Sequence, residues 1–506
     1  MIRRASYDAI VIGSGLGGSS MAFKLSAQGM NVLVVERGGH LETPPVRPGE
    51  PIGRSRTEFA PGNRPLSFVG GATKFYGAAL YRMRESDFRE VLHEAGPSPA
   101  WPITYADLEP FYSEAERLFR VHGSTEGDRT APPRSAPLPH PPLPHDPLVA
   151  EMASRLGASG TDVSPIPLAL DYGSQGKCRL CSKCDGYVCR IDAKMDAEIA
   201  ALRPALATGR VDLATSAECL RVLTSPCGTM ATGASIRWDS QVLDVSSNVV
   251  VVACGLPGTA LLLHRSRNDA HAQGLGNNGG ALGRYLGGHH SGLVFPLMGW
   301  RPIAPGYTKT FGINAYYEPT ADWPYPTGLI QMAGDLPIWD WLPQPFRSVA
   351  DAFASRTLTM FYMTEAIPTP QSGLIFRNDR LAGRTQPPRS ARTVARLRRA
   401  TISALRAAGY RSLAPRGCAL WHEVGTARMG DDPASSVVDR NGMVHGIRGL
   451  YISDASVLPS AGAVNTALTI IALALRTGSA IVGATADVAR ASAPPCDGAP
   501  HSEKLP

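Results

Sequence analysis

The chain has 506 residues, 43% of them hydrophobic and 18% charged, which is ample for a large core and more than one usual domain length. The net charge of +7 comes from 50 basic residues scattered among 43 acidic ones, without a dense basic run interleaved with aromatics, so nucleic acid is not the expected partner. The polar arm before Tyr7 carries no apolar signal core, and the nine cysteines include only one dense group, Cys178–Cys189, so a soluble cytoplasmic protein in a reducing compartment is expected.

In chain order, Tyr7–Ile12 alternates and then runs apolar, which predicts a buried strand. Gly13 breaks it, Gly15–Gln28 predicts a helix closed by Gly29, and Asn31–Val35 predicts a second buried strand ending at Glu36. Within this β-α-β unit, Gly13, Gly15 and Gly18 supply the G-x-G-x-x-G spacing. The first glycine permits a tight turn, the second lets backbone approach a pyrophosphate, and the third allows close helix–strand packing. The amides from Leu16 onward open the helix and present its positive end to phosphate. Glu36 lies about 20 residues on, where an acid accepts from a ribose 2′-OH and repels a 2′-phosphate, which argues against NADP.

Residues 38–71 read as a loop rich in Pro, Gly and Arg, and Tyr105–Val121 as a helix. Ala131–Pro147 is proline-dense and predicts an extended connection. Ala193–Ala207 predicts a helix, and Asn248–Ala253 a strand of the kind buried in a parallel sheet. Residues 291–411 are richer in aromatics and read as a second domain; Trp300, Trp339, Trp341 and Phe361 are pocket candidates that serve equally as core. Thr393–Ala408 predicts a helix closed by Gly409, Gly449–Ile452 a strand, and an apolar helix starts near Asn465. Its apolar stretch, Ala467–Val482, is interrupted by Arg476 and reads as too short to span a bilayer, so no membrane span is expected.

These segments, together with Val69–Thr73 and Trp421–Gly430, resemble the glucose–methanol–choline (GMC) oxidoreductase family in order and over nearly the whole length. The resemblance is nearest to the sugar- and gluconate-dehydrogenase flavoprotein branch, through Trp101–Tyr112 and the cysteine run. It implies an α/β fold: a Rossmann-like FAD-binding domain (1–100, 195–290 and 415–490) and an α+β substrate or cap domain on an antiparallel sheet (101–194 and 291–414), with 491–506 as a flexible tail. It also implies oxidation of an alcohol CH–OH by hydride transfer to flavin, with His422 as general base and Asn465 holding the substrate oxygen. An imidazole near neutral pH suits that proton transfer.

Dinucleotide contacts are carried over to Gly70, Gly71, Cys219, Ala253, Gly255, Asp454, Ala455, Asn465 and Thr466, besides the glycine loop and Glu36. Asn465-Thr466-Ala467 stands where many relatives have Asn-Pro-Thr. Phe75 occupies the position at which some relatives attach FAD through histidine, so non-covalent FAD is expected. His289 and His290 resemble a family position near the flavin, with surface or structural roles as the plainer reading. Cys178, Cys181, Cys184 and Cys189 leave two alternatives: ligands of an iron–sulfur cluster, favoured over zinc, or thiols that fold a loop. The expected partners are a small alcohol and an electron carrier such as a quinone or cytochrome. An oxidase using O2 and a hydroxynitrile-type lyase are the alternatives.

Overall fold

The computed structural model describes residues 2–41, 67–336, 343–377, 379–385 and 390–491. The strand at Ala9–Ile12 is fully buried and lies at the centre of a five-stranded parallel sheet. Val32–Val35 and then Val211–Ala214 flank it on one side; Val250–Val252 and Leu450–Ile452 flank it on the other. The order reverses at Ala9–Ile12, so the crevice at its carboxyl end, where Gly13 follows, is the topological switch point of the sheet.

The apolar runs are continuous rather than alternating because both faces of the sheet are covered. The helix Leu16–Ala27 packs against the long helix Ala467–Ala491, and at Gly478 an added Cβ would lie 2.8 Å from Cγ of Lys24. The stretch Ala467–Thr485 is long and apolar enough to cross a membrane by length and composition, which corrects the expectation that it is too short. Over half of it, 56%, is buried within this protein, as befits a core helix.

The second layer is a seven-stranded antiparallel sheet built around the strand Gly287–Pro296, which pairs with Met360–Ala366 on one side and Ala419–Val424 on the other. Leu329–Met332, Phe311–Ile313 and Ser164–Pro165 extend it. Residues 419–424, counted by sequence with the parallel-sheet domain, therefore belong to this layer, because their backbone pairs with Gly287–Ser291.

Two expected helices shift. The one from Tyr105 ends at Leu118, and Val121–His122 pairs with Leu168–Ala169 instead. Residues 193–196 stay extended, since Lys194 is drawn onto four carbonyl oxygens and Asp196 accepts from the N–H groups of Glu198 and Ile199, opening a π-helical turn at Glu198–Leu202. Proline-rich 131–147 is extended, and its last residue starts the helix Pro147–Ala158 under an Asp146 cap. Trp300 is 94% exposed and Phe361 is buried, so only the second is placed to line a site. Trp339, Trp341, most of the 38–71 loop and residues 492–506 lie outside the described residues.

Candidate active site

At the switch point the glycines do what their spacing requires. A Cβ on Gly13 would sit 2.2 Å from the carbonyl oxygen of Ala253, and one on Gly17 would sit 1.6 Å from that of Ser453. An added Cβ on Gly15 meets nothing within 4 Å, and no side chain caps the helix there. The first intrahelical bond runs from the Ser19 amide to the Gly15 carbonyl, so the amides from Leu16 to Gly18 have no partner within the helix and stand at its positive end, where a phosphate is favoured. Gly18 packs under Gly13, its added Cβ 2.0 Å from the Gly13 carbonyl oxygen.

Glu36 is buried at the tip of its strand, where its carboxylate accepts from the amide of Ser14 (3.0 Å), the hydroxyl of Ser14 (2.7 Å) and the amide of Gly38 (2.9 Å). Its carbonyl accepts from the Ala217 amide at 2.9 Å, which brings the segment leading to Cys219 alongside. The Gly70 amide donates to the Ser14 hydroxyl at 3.1 Å, and Gly71 lies against Gly15, so the turn Gly71–Lys74 closes over the same loop. These residues fit a dinucleotide: a bare helix start, an acid at the strand tip, and glycine backbone on two sides.

Asp454 is held on both of its carboxylate oxygens by protein donors. One carboxylate oxygen accepts from the Ser456 amide and hydroxyl, the other from the Gly255 amide and the Thr259 hydroxyl. With its lone pairs committed to protein donors, Asp454 locks the Ala253–Gly255 turn to the turn Ala455–Val457. That second turn then orders the segment after His422: the Gly425 amide donates to the Ala455 carbonyl, and the Ala427 amide to that of Ser456.

His422 sits in the strand Ala419–Val424 at a β-bulge, where Gly288 faces the stretch between Trp421 and Val424. Its φ is +51°, a left-handed conformation that costs a non-glycine residue about 1–3 kcal/mol and is found where a side chain must be re-aimed. Gly288 makes the bulge possible, since an added Cβ would lie 2.7 Å from the Trp421 carbonyl oxygen.

Burial pushes the His422 imidazole down to about 4, the nearby Lys309 ammonium adds to the shift, and Asp185 opposes it. The ring is therefore neutral at physiological pH, a base rather than an acid. Lys309 is itself buried and bonded to Asp185 at 2.6 Å, while the other Asp185 oxygen accepts from the Gly334 amide.

His289 is fully buried and lies 3.1 Å from His422, Nδ1 to Nδ1, with its Nε2 3.0 Å from the Gly462 carbonyl oxygen. The surface reading of His289 is thereby corrected. Residues 462–465 cross the antiparallel sheet, meeting His289 through Gly462 and Gln331 through Asn465. The Gln331 amide donates to Oδ1 of Asn465 at 2.7 Å, which fixes the orientation of the Asn465 amide. Thr466, buried beside it, accepts from the Ile470 amide in the first turn of the long helix.

Asp185, Lys309 and Gln331, which surround His422 and Asn465, are not marked in the sequence. Lone polar residues on strands and loops carry no spacing signal. The histidine doublet at 289–290 was the one visible hint.

The four clustered cysteines line one cavity together with Arg179, Lys183, Lys194 and Tyr307. Among the described residues no group of three or more His, Cys, Asp or Glu is arranged to hold a metal ion, so this arrangement does not fit the expected cluster. Burial pushes the Cys178 thiol up to about 11 and that of Cys184 up to about 12. The cation that organises the loop is Lys194. Its ammonium reaches the carbonyls of Lys74, Tyr76, Cys184 and Tyr187 at 2.7–3.0 Å and ties the cysteine loop to the turn above the glycine loop.

Fold and site together define a dinucleotide-binding oxidoreductase with a substrate layer on an antiparallel sheet. The sequence matches the GMC oxidoreductase profile over residues 7–289 for its N-terminal part and 354–474 for its C-terminal part. The chain belongs to the GMC oxidoreductase family. It is 30% identical to paromamine 6'-oxidase of Streptomyces fradiae and 32% identical to 6'''-hydroxyparomomycin C oxidase of Streptomyces lividus, covering 94% of this chain and 91% of each relative. The fructose dehydrogenase large subunit of Gluconobacter japonicus is 24% identical over 94% of this chain and 98% of its own length. The solved structure of pyridoxine 4-oxidase from Mesorbium loti shares the fold, with a TM-score of 0.65 at 18% identity, covering 94% of this chain and 98% of that one.

Proposed function

We propose that this oxidoreductase converts the CH–OH group of a sugar, polyol or related small alcohol to the carbonyl. Non-covalently bound FAD, held by Gly13–Gly18, Glu36, Gly70–Gly71 and the 253–255 and 454–455 turns, supplies the hydride acceptor. His422 removes the hydroxyl proton, and the Asn465 amide donates to the same oxygen and holds the carbinol C–H in place. Lys309 favours the uncharged imidazole before reaction. Phe75 has no nucleophilic atom to attach a flavin, which supports non-covalent binding.

The observation that carries the reading is the half-buried, neutral imidazole of His422, bulged out of its strand beside a segment that ends in Asn465. The two Streptomyces relatives are named for paromamine and 6'''-hydroxyparomomycin C, which supports a glycoside hydroxyl as substrate. A dehydrogenase passing electrons to a quinone, cytochrome or other carrier is the reading we retain. An oxidase shares the same first half-reaction, and dye reduction set against peroxide release separates the two. Free thiols at Cys178, Cys181, Cys184 and Cys189 support a reducing, cytoplasmic setting.

The test is anaerobic bleaching of the purified yellow protein by candidate alcohols, paromamine first. His422→Ala should slow bleaching by about 10²–10⁴-fold while the bound flavin stays in place. Bleaching at the wild-type rate in that variant would remove the base from the scheme.

A further inference from the structure

An imidazole that acts as a base must present a particular nitrogen, and the surroundings of His422 select it. We propose that His289 is a positioning residue that fixes the tautomer of His422, so that Nδ1 of His422 carries the proton and Nε2 is the basic atom. The inference rests on His422 being the base, and adds which atom of it reacts and why.

A carbonyl oxygen only accepts, so the 3.0 Å contact with Gly462 requires His289 to carry its proton on Nε2. A neutral His289 protonated there has only a lone pair on Nδ1. That lone pair faces Nδ1 of His422 at 3.1 Å, with the two rings at 78° and their centroids 5.2 Å apart. The contact is a hydrogen bond only if His422 Nδ1 holds the proton. The other neutral tautomer of His422 would set two lone pairs against each other.

Charging His289 would reverse the polarity, since both its nitrogens would then donate. That form is disfavoured: the residue is fully buried, and burial first and His422 second push its proton affinity well down. The chain of donors therefore runs one way, from His422 to His289 to the Gly462 carbonyl. Its origin is a backbone oxygen in the segment that also delivers Asn465.

The device is compact because His289 and His422 are on neighbouring strands at the bulge opposite Gly288. Without the bulge, the alternation of side chains along the strand would send His422 to the other face of the sheet.

The decisive measurement is the tautomer itself. Long-range ¹H–¹⁵N spectra of the FAD-loaded, ¹⁵N-histidine protein, assigned with His422→Gln and His289→Gln, should show His422 protonated at Nδ1 and His289 at Nε2. A His422 signal of the Nε2–H form would overturn the proposal whatever the activity. The second arm is rescue. His289→Leu leaves Nδ1–H of His422 without an acceptor and should lower the rate of anaerobic flavin bleaching by paromamine about 10–10²-fold, since loss of tautomer control is costly in histidine bases. His289→Gln offers a carbonyl to His422 and an NH2 to Gly462, and should recover most of the loss. His289→Leu within twofold of wild type, with His422→Ala inactive, would refute the role of His289 and leave the base in place. His422→Ala at wild-type rate would instead refute the base.

Discussion

The pH dependence of the first half-reaction follows from the surroundings of His422. An ordinary histidine titrates near 6.5; burial, helped by Lys309, brings this one to about 4. At pH 5 a group of pKa about 4 is roughly 90% neutral, while one of pKa 6.5 is only about 3% neutral, a difference of about 30-fold in competent base. The assay is kcat/KM for dye reduction between pH 4 and 8, with far-ultraviolet circular dichroism to verify folding at each point. The expected profile stays nearly flat from pH 7.5 to 5 and falls with an inflection near 4. An acid limb centred at 6.5 or above would refute the argument that desolvation governs this imidazole.

The same shift has a stability consequence. The unfolded chain takes up the proton below pH 6.5 and the folded chain only below about 4. This contribution is therefore whole above 6.5 and is lost as pH falls through that window, about 3 kcal/mol at most.

Three further outcomes are expected. Gly17→Ala places a Cβ 1.6 Å from the Ser453 carbonyl oxygen, so helix and sheet must part; flavin content per chain should drop to a small fraction of wild type, and full retention would contradict the packing described. Lys194→Met strips four carbonyls, two of them in fully buried contacts, of their donor and should cost about 3–5 kcal/mol in denaturant unfolding, with the cysteine loop opening first to proteolysis. Cys227 is exposed, and hydrogen bonds from Ser225 and Thr229 bring its thiol down to about 7, whereas burial holds Cys184 up at about 12. Brief iodoacetamide treatment at pH 7.5 should modify Cys227 before Cys184, as read by peptide mass spectrometry.

The elements that open and close the parallel sheet were legible because their signals are local. Val32–Val35 and Val250–Val252 are uninterrupted β-branched runs, Gly13 to Gly18 combine spacing with a strand before and a helix after, and Glu36 falls at the strand tip. His422 and Asn465 were named through the family's motifs, which fix order along the chain.

What the sequence could not determine is how separate segments meet. That residues 419–424 join the antiparallel sheet, that Gly288 bulges it, and that His289 thereby bonds to His422 are consequences of strand pairing between positions about 130 residues apart. Asp454 has the same lesson: its place was foreseen, but its saturation by Ser456, Gly255 and Thr259 is a property of two turns brought together. The cysteine run carried the opposite risk, because spacing suggests ligands, while the fold supplies Lys194 as the cation that ties the loop and buries the Cys184 thiol. Sequence specifies local conformation and which faces are apolar. Desolvation, tautomer choice and the partner of each buried charge arise only once distant strands share a wall, since each depends on excluding water from both sides of a contact.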